Sequence, residues 1–497
     1  MVRSGADLRF PCWRRTAGNP PARSIWIDEA LERENADLAE PLGGQVAADI
    51  CVVGGGFSGL WSAYRLLELQ PTLRLCVVEA DLCGTGASGR NSGAAGHWWG
   101  KLPDLVRFFG PEDAVKVLRA SENALVDIHA FVADENVECE LRLVPSVWSA
   151  NTPVPRGPWE AVFQVAEKLG LEVPYRRLSA EELHYMFGAA PFTAGVLQNG
   201  ATRLQPAMLA RALRRHVIRL GCRVYELSPV SSVEGAESYV RVRTERGEVR
   251  AGRVVLAASA WMAHLKEFRA RTHVTSSDMV ITNPIPDVLA KLGMTMRPGG
   301  LNSRQMVNYG GITPDGRVYL GRGGGALSYR SRITPDFHWS AERAREVESD
   351  FRFLYPELRA IPIARSWAGP VDRSPTGLPR FGRLQADERI NYAIGYSGHG
   401  VGASALGGRI LASLALRIDD DWSHLGALIS KADNGRFPPE PVRYFFGSMV
   451  RSAVARKERA EQLGRRISWV DRKLAGLANF TFKGSPPTTV RGRCANS

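Results

Sequence analysis

The chain has 497 residues, of which 44% are hydrophobic and 23% are charged. This ordinary globular composition predicts two or three domains and excludes a mainly disordered chain. The formal net charge is +13, but residues 441–497 carry +9 of it and residues 1–24 carry +4, so the body between them is neutral. The basic character belongs to the termini and gives no reason to expect a nucleic acid as partner.

The sequence predicts neither a membrane span nor a metal site. The best apolar run, residues 254–263, has ten residues, whereas about 20 are needed to cross a bilayer. No apolar stretch follows Arg14 and Arg15, so a secretion signal is not expected. The seven cysteines are odd in number and form no C-x-x-C pair. They predict no disulfide framework, no metal and a reducing compartment, by default the cytoplasm.

The first 80 residues contain one clear structural unit. Residues 1–23 are rich in Arg, Pro and Gly and predict a loose arm, and residues 24–38 could hold a short helix. Residues 46–53 and 73–78 are strand-like, and residues 57–69 between them place apolar side chains at helical spacing. Together they predict a βαβ unit of a parallel sheet.

The remainder predicts alternating helices and strands. Helices are expected at 104–109, 111–134, 158–169, 206–220, 341–355 and 402–416. Strands are expected at 221–226, 239–244, 248–251, 254–258 and 392–395. Residues 300–335 predict strands and turns, and residues 441–475 predict a basic helical segment.

A glycine-rich turn joins the first predicted strand to the first strongly predicted helix, with the sequence Gly54-Gly55-Gly56-Phe57-Ser58-Gly59. Glycines there allow a tight turn and a close approach of a pyrophosphate to the helix N-terminus. Glu79 ends the next strand 20 residues after Gly59, where an acidic side chain would bind a ribose hydroxyl and disfavour NADP. The pattern predicts a dinucleotide site, and a plain surface turn is the alternative.

A second polar loop follows Glu79 and Ala80, with the sequence Gly84-Thr85-Gly86-Ala87-Ser88-Gly89-Arg90-Asn91-Ser92-Gly93. NAD needs no such loop, so the loop favours a longer cofactor that carries a flavin. Ser88, Arg90 and Asn91 could donate hydrogen bonds to phosphate and flavin oxygens. A flexible surface loop is the alternative. We also expect these residues to contact the cofactor: Ala80, Gly86, Ala87, Ser92 and Gly93.

A third motif follows a short predicted strand and opens a helix, with the sequence Tyr396-Ser397-Gly398-His399-Gly400-Val401-Gly402. Backbone N–H groups at a helix start stabilise negative charge, such as that of a reduced flavin. His399 could face the flavin or the substrate, or it could be an ordinary polar residue of a tight loop.

In this order and at these separations, the three motifs resemble the FAD-dependent oxidoreductases of the D-amino-acid-oxidase type. The loop Gly86-Ala87-Ser88-Gly89-Arg90-Asn91 and the segment Tyr396-Ser397-Gly398-His399-Gly400-Val401 are most similar to the branch of gamma-glutamylputrescine oxidases and aminophosphonate oxidoreductases. Residues 24–31 and 438–444 resemble the aminophosphonate members in particular. The resemblance covers about residues 24–465.

The resemblance implies an α/β fold with two domains. A Rossmann-like FAD-binding domain would be discontinuous and built from residues 24–100, 196–266 and 361–432. Residues 101–195 and 267–360 would form an α+β substrate domain with an antiparallel sheet. Residues 433–497 would be a basic helical extension and tail.

The resemblance also implies a cofactor and a reaction. FAD would bind noncovalently, because no cysteine is placed for a covalent link. It would contact Val230 at the adenine, and also Ser259, Gly369, Gly398, His399, Gly400 and Val401. The reaction implied is oxidation of the C–N bond of a small amine, amino acid or aminophosphonate, with hydride transfer to flavin N5 and hydrolysis of the imine. Oxygen or an electron carrier would reoxidise the flavin, and the exact substrate and the oligomeric state stay open.

Four residues are expected to act on the substrate: His97, Tyr309, Arg322 and His399. His97, with Trp98 and Trp99, could form an aromatic wall over a cationic amine, and core packing is the alternative. Arg322, and similarly Arg304, could clamp a carboxylate or phosphonate, and the alternative is a surface arginine on a turn.

Two other functions compete with amine oxidation. An FAD monooxygenase would share the fingerprint but would need NAD(P)H, and no second nicotinamide motif occurs. A binding protein could instead dock its basic C-terminal helix, residues 441–475, on acidic lipid or nucleic acid, because aromatic and apolar residues alternate there with Arg and Lys.

Overall fold

The computed structural model describes residues 6–11, 23–34, 39–150, 157–188, 190–432 and 435–478. The strands in these ranges are β1 Asp7–Arg9, β2 Gly44–Val53, β3 Leu75–Val78, β4 Ala94–Ala95, β5 Arg142–Ala150, β6 Arg176–Leu178, β7 Ala194–Arg203, β8 Arg223–Tyr225, β9 Val230–Gly235, β10 Val240–Thr244, β11 Gly247–Leu256, β12 His273–Thr282, β13 Gly299–Asn302, β14 Asn308–Ile312, β15 Val318–Arg322, β16 Ile363–Arg373, β17 Arg380–Leu384 and β18 Asp387–Ile394. The helices are α1 Ile25–Arg33, α2 Phe57–Leu69, α3 Leu102–Phe109, α4 Pro111–Asp134, α5 Glu160–Lys168, α6 Ala180–Phe187, α7 Pro206–Arg219, α8 Pro286–Lys291, α9 Ala341–Leu354, α10 Gly400–Leu416, α11 Asp421–Lys431, α12 Val442–Gln462 and α13 Trp469–Gly476.

The first sheet has a parallel centre. Strands β8, β3, β2 and β11 lie side by side in that order, and β18 pairs with the end of β11. On the other side, β11, β10 and β9 form an antiparallel meander that β1 extends. Every residue of β3 is buried, as expected for a parallel strand covered on both faces. Helices α2 and α10 pack against each other beside this centre.

The second sheet is largely antiparallel. Its strands lie in the order β16, β12, β15, β14, β13, β5, β7 and β4, and β6 pairs with β7. Only the pair of β13 with β5 is parallel among the described pairs of this sheet. A parallel-centred sheet with helices, together with a second antiparallel sheet, confirms the predicted α/β fold class.

Three of the differences between the structure and the sequence-based prediction concern the two sheets. Part of the expected loose arm is a strand, because buried Leu8 anchors β1 against β9. Residues 248–251 and 254–258 were expected to be separate strands, but β11 is continuous because it pairs with β2 from Gly247 to Leu256. Strand β16 lies in the segment 361–432, which was expected in the FAD domain, yet it pairs with β12 of the second sheet.

A buried charge cluster joins α7 to the loops beside β3. The carboxylate of Glu226 is fully buried, and it lies 2.5 Å from a guanidinium nitrogen of Arg211 and 3.3 Å from one of Arg214. The same carboxylate accepts hydrogen bonds from the backbone N–H groups of Ala39, at 3.0 Å, and Cys83, at 2.7 Å. Glu226 therefore fixes the start of the second polar loop.

We expect Glu226→Ala to lower the free energy of unfolding by about 3–5 kcal/mol, because it removes the buried carboxylate that faces Arg211 and Arg214 and accepts from two backbone N–H groups. Urea unfolding followed by tryptophan fluorescence measures the change. The exposed Glu237 offers the control, and Glu237→Ala should change the free energy by less than about 0.5 kcal/mol. Equal losses in the two variants would contradict this role of Glu226.

Candidate functional site

A cleft of about 2200 Å³ is lined by residues of both sheets. Val53 and Val78, at the carboxyl ends of β2 and β3, belong to one part of its lining. Ser277 of β12 and Tyr309 of β14 belong to another. The carboxyl ends of parallel strands are where open α/β sheets bind ligands, so this cleft is the candidate site.

The first glycine-rich turn places the N-terminus of α2 on the cleft. The lining residues of this turn are Gly54, Gly56, Phe57 and Ser58. Gly54 has φ +111°, and a Cβ there would lie 2.7 Å from the carbonyl oxygen of Ala257. Gly59 lies outside the lining, because it packs on the turn itself, where its Cβ would lie 1.9 Å from the carbonyl oxygen of Gly54. The glycines thus allow the close packing that brings the helix dipole to the cleft.

Glu79 lies beside this turn and lines the cleft with Ala80 and Val230. Its carboxylate accepts hydrogen bonds from the N–H of Gly55, at 2.6 Å, and of Asp81, at 2.9 Å. Burial raises the pKa of Glu79 to about 7, although both hydrogen bonds favour the carboxylate. Its oxygens are acceptors at the position where a ribose hydroxyl was expected.

Arg90, which was expected to donate to phosphate or flavin oxygens, lines the cleft, and its guanidinium also bonds to the protein backbone. The guanidinium donates to the carbonyl oxygens of Thr85, at 2.8 Å, and Ala368, at 2.9 Å. The carbonyl oxygen of Arg90 accepts a hydrogen bond from Nε1 of Trp367 at 2.9 Å. Burial lowers the pKa of Arg90 to about 10. Arg90 therefore joins the second polar loop to β16, because backbone carbonyls buried in an irregular loop need donors.

Ser88 and Asn91 also stabilise the second loop from within. The hydroxyl oxygen of Ser88 accepts a hydrogen bond from the N–H of Phe57 at 2.8 Å, which links the two loops. The amide of Asn91 donates to the carbonyl oxygen of Ser88 at 2.8 Å and accepts from the N–H of Gly93 at 2.7 Å. Gly93 lies outside the lining, since it packs against Leu204. The other lining residues of this loop are Gly84, Thr85, Gly86, Ala87 and Ser92.

The third motif lies on the same cleft. Its lining residues at the start of α10 are Gly398, His399, Gly400 and Val401, and the expected Ser259 and Gly369 line the cleft as well. Asp372 holds the turn before them, because its carboxylate accepts from the N–H of Gly395 at 2.7 Å and its carbonyl oxygen accepts from the N–H of Ser397 at 2.8 Å. Burial raises the pKa of Asp372 to about 6.

Cationic groups surround His399. It lines the cleft and is exposed there, and desolvation by the surrounding protein, with Lys101 and Arg373 nearby, holds its pKa well below the usual range. The imidazole is therefore neutral at pH 7. Arg373 lines the cleft and donates from Nε to the hydroxyl oxygen of Thr275 at 3.0 Å.

Tyr309 and His97 bring hydrogen-bonding groups to the cleft. The hydroxyl of Tyr309 lies 2.7 Å from that of Ser277, and burial raises the pKa of Tyr309 to about 12. Nε2 of His97 lies 3.1 Å from the amide nitrogen of Gln198, and burial lowers the pKa of His97. Both groups line the cleft and are neutral at pH 7.

Two expectations for substrate contacts are wrong in this structure. Arg322 lies outside the cleft lining, because its guanidinium pairs with Glu346 at 2.9 Å and with Asp350 at 3.5 Å. Trp98 and Trp99 are buried in the core, so only His97 of that trio lines the cleft.

Among the lining residues that sequence reasoning missed are Arg373, Trp148 and Tyr175. Arg373 lies four residues after Gly369, and that proximity was the one available signal. Trp148 and Tyr175 form the aromatic side of the cleft, with the Tyr175 ring centroid 6.2 Å from that of His97 and 6.5 Å from that of Trp148. Single aromatic residues in apolar stretches gave no sign of this, since they are typical of a core.

The part of the chain that the structure describes holds neither a candidate metal cluster nor a single helix that could span a membrane. No group of three or more His, Cys, Asp or Glu side chains could hold a metal ion there. No single helix in those ranges is long and apolar enough to cross a membrane, although α10 and α11 pass together on length and composition with a bend of 109°.

Known proteins resemble this chain both in sequence and in fold. Residues 49–414 match the sequence model of the family described as FAD dependent oxidoreductase. The gamma-glutamylputrescine oxidoreductase of Escherichia coli K12 is 28% identical over 380 residues, covering 76% of this chain and 85% of that protein. A probable oxidoreductase, OrdL, of Haemophilus influenzae is 23% identical over 411 residues, covering 81% and 90%. The crystal structure of glycine oxidase from Geobacillus kaustophilus shares the fold, with a TM-score of 0.61 and 20% identity over 76% of this chain and 96% of that chain.

We expect Arg90→Met to lower the free energy of unfolding by about 1–3 kcal/mol, because the carbonyl oxygens of Thr85 and Ala368 lose a buried donor. Urea unfolding measures this loss. Arg107 also lines the cleft but is partly exposed and pairs with Asp104 on its own helix, so Arg107→Met is the matched control and should cost less than about 1 kcal/mol. If Arg90→Met were as stable as this control, the bridging role would be refuted.

Proposed function

Because the chain belongs to the family of FAD-dependent oxidoreductases, we propose that it oxidises the C–N bond of a small amine, amino acid or aminophosphonate in this cleft. One observation carries the proposal. The N-terminus of α2, Glu79 and the start of α10 line the same cleft as Tyr309 and Arg373. A cofactor site and a set of groups able to orient a polar substrate therefore open on one space.

The lining residues fit FAD. Gly56, Phe57 and Ser58 would offer the diphosphate a cradle at the first turn of α2. A Cβ at Gly56 would lie 3.0 Å from the Ser88 hydroxyl, so a larger residue at this position would crowd the cradle. Glu79 would accept from the adenosine ribose, and Val230 would lie against adenine. The segment 398–401 would place backbone N–H groups of α10 near the flavin, where they favour added negative charge.

When bound, FAD supplies the two-electron acceptor for oxidation of a C–N bond to an imine, which water then hydrolyses. The protein's part is to bind and orient the substrate. Arg373, with Lys101 near, gives the cleft a positive field that would hold a carboxylate or phosphonate. The neutral hydroxyls of Tyr309 and Ser277 would accept or donate hydrogen bonds at the same substrate.

The neutral imidazoles suit an amine that reacts as the free base. Burial lowers the pKa values of His97 and His399, so neither adds a positive charge that would repel the amine at pH 7. The aromatic faces of Trp148 and Tyr175 would attract the cationic form while it enters. No strong general base is needed, because orientation of the C–H bond supplies much of the rate.

The acceptor and the compartment are further parts of the proposal. Oxygen or an electron carrier would reoxidise the flavin. Cys51, Cys76, Cys83, Cys139 and Cys222 are free thiols and are buried, which agrees with a reducing compartment such as the cytoplasm. None of them lines the cleft, which agrees with noncovalent FAD for the described residues.

Anaerobic flavin reduction tests the reaction class. The purified flavoprotein is mixed with glycine, L-proline, γ-glutamylputrescine and 2-aminoethylphosphonate, and the visible flavin absorbance is followed over time. We expect at least one of these amines to bleach the flavin within seconds to minutes. Bleaching by NADH or NADPH, with none by any amine, would contradict amine oxidation and favour the monooxygenase.

We expect Gly56→Trp to yield folded protein without bound flavin, because the indole would fill the cradle at the N-terminus of α2. The ratio of visible to ultraviolet absorbance after purification measures flavin content, and circular dichroism checks the fold. Gly43 has nothing within 4 Å of an added Cβ, so Gly43→Trp is the control and should keep its flavin. Normal flavin content in Gly56→Trp would refute the role given to this turn.

A further inference from the structure

One face of α12 carries three polar side chains that point at the second sheet. Arg443, Arg451 and Glu458 are separated by eight and seven residues, which places them about two helical turns apart on the same face. Between them, Val450 and Val454 are buried against Met306. Val450 and Val454 of this basic helix thus pack inside the molecule, whereas Val442, Phe445 and Met449 of the same helix are exposed.

Each of the three side chains binds backbone of a segment that lines the cleft. Arg443 donates to the carbonyl oxygen of Arg269 at 2.7 Å, and Arg451 donates to that of Gly324 at 3.0 Å. The carboxylate of Glu458 accepts from the N–H of Gln305 at 2.9 Å. Arg269, Gly324 and Gln305 all line the cleft. Helix α12 therefore contacts three separate pieces of the cleft wall, and Arg443 itself also lines the cleft.

The contact of Glu458 is the most buried of the three. The residue is 4% exposed, and its carboxylate also accepts from the N–H of Met306 at 3.1 Å. These two N–H groups lie in the middle of the segment between β13 and β14. Its ends bond to other backbone, because the N–H of Ser303 donates to the carbonyl oxygen of Ser149 at 2.8 Å and the carbonyl oxygen of Val307 accepts from the N–H of Gly323 at 2.9 Å. Arg304 adds a bond from its guanidinium to the carbonyl oxygen of Glu458 at 3.4 Å. A buried N–H without an acceptor is costly, so Glu458 determines the path of this segment.

The segment held in this way presents side chains to the cleft. Its lining residues are Asn302, Ser303, Arg304, Gln305 and Val307. None of them belongs to the two glycine-rich loops or to the third motif, which are the regions assigned to FAD. The match to the family sequence model ends at residue 414, so α12 lies beyond the matched region.

We propose that α12 is a positioning element of the substrate site, in which Glu458 fixes residues 302–307 as the wall that contacts the part of the amine substrate away from the flavin. This inference rests on the proposed amine oxidation. Glu458 is a positioning residue, because it acts through the backbone of Gln305 and Met306 and does not itself line the cleft. Losing it would weaken substrate binding more than the chemical step.

Three variants of the full-length flavoprotein test this. Glu458→Ala removes the acceptor, and Glu458→Gln keeps an oxygen that can accept from both N–H groups. Glu461→Ala is the matched control, because Glu461 lies one turn further on the same helix and pairs with Lys457 on the surface. For each variant we measure the flavin content and the hydrogen exchange of peptides covering residues 302–307. We also measure KM and kcat for the amine, among the four named above, that reduces the flavin fastest.

We expect Glu458→Ala to keep its flavin, to exchange residues 302–307 at least about tenfold faster, and to raise KM about tenfold with kcat changed less than about threefold. Glu458→Gln and Glu461→Ala should stay within about twofold of the parent in every measurement. Unchanged exchange in Glu458→Ala, an equal effect in Glu461→Ala, or loss of flavin would overturn the proposal. If no amine reduces the parent, the proposed function fails, and the exchange data still decide whether Glu458 positions the segment.

Discussion

The close packing of the first glycine-rich turn is the constraint on which the site depends. Gly59 lies so near the carbonyl oxygen of Gly54 that a Cβ would meet it at 1.9 Å. Only this approach lets α2 start directly at the carboxyl end of β2 and bring its N-terminus to the cleft. The Ser88 hydroxyl then accepts the N–H of Phe57, so the second loop is positioned by the first.

A set of buried polar contacts makes the second loop rigid. Glu226 binds its beginning at Cys83, Arg90 joins its middle to β16, and Asn91 closes its end on Gly93. A loop without regular structure has carbonyl and N–H groups that need partners, and these side chains provide them. Ser88, Arg90 and Asn91, which were expected to donate hydrogen bonds to the cofactor, thus also bond to the protein's own backbone. These bonds prepare a fixed surface for a ligand.

The sequence predicted the βαβ unit of the first sheet better than it predicted which side chains of the second sheet reach the cleft. The βαβ unit was predicted closely, with helix 57–69 at its observed bounds, because a glycine motif between apolar runs depends on local sequence. Arg373 and Trp148 were missed, and Arg322 was placed in the site wrongly, because strand pairing in the second sheet decides which side chains meet the cleft. That pairing joins residues far apart in the chain, and a single sequence carries little information on it. The role of α12 was hidden for the same reason.

The central claim is that this chain binds FAD noncovalently through the turn at the N-terminus of α2. Denaturing the purified protein with acid, removing the precipitate and identifying the released compound by chromatography tests it most directly. The account predicts free FAD in the supernatant in an amount equal to that of the chain. Flavin that stays with the precipitated polypeptide, or release of NAD or no nucleotide even after incubation with FAD, would contradict it.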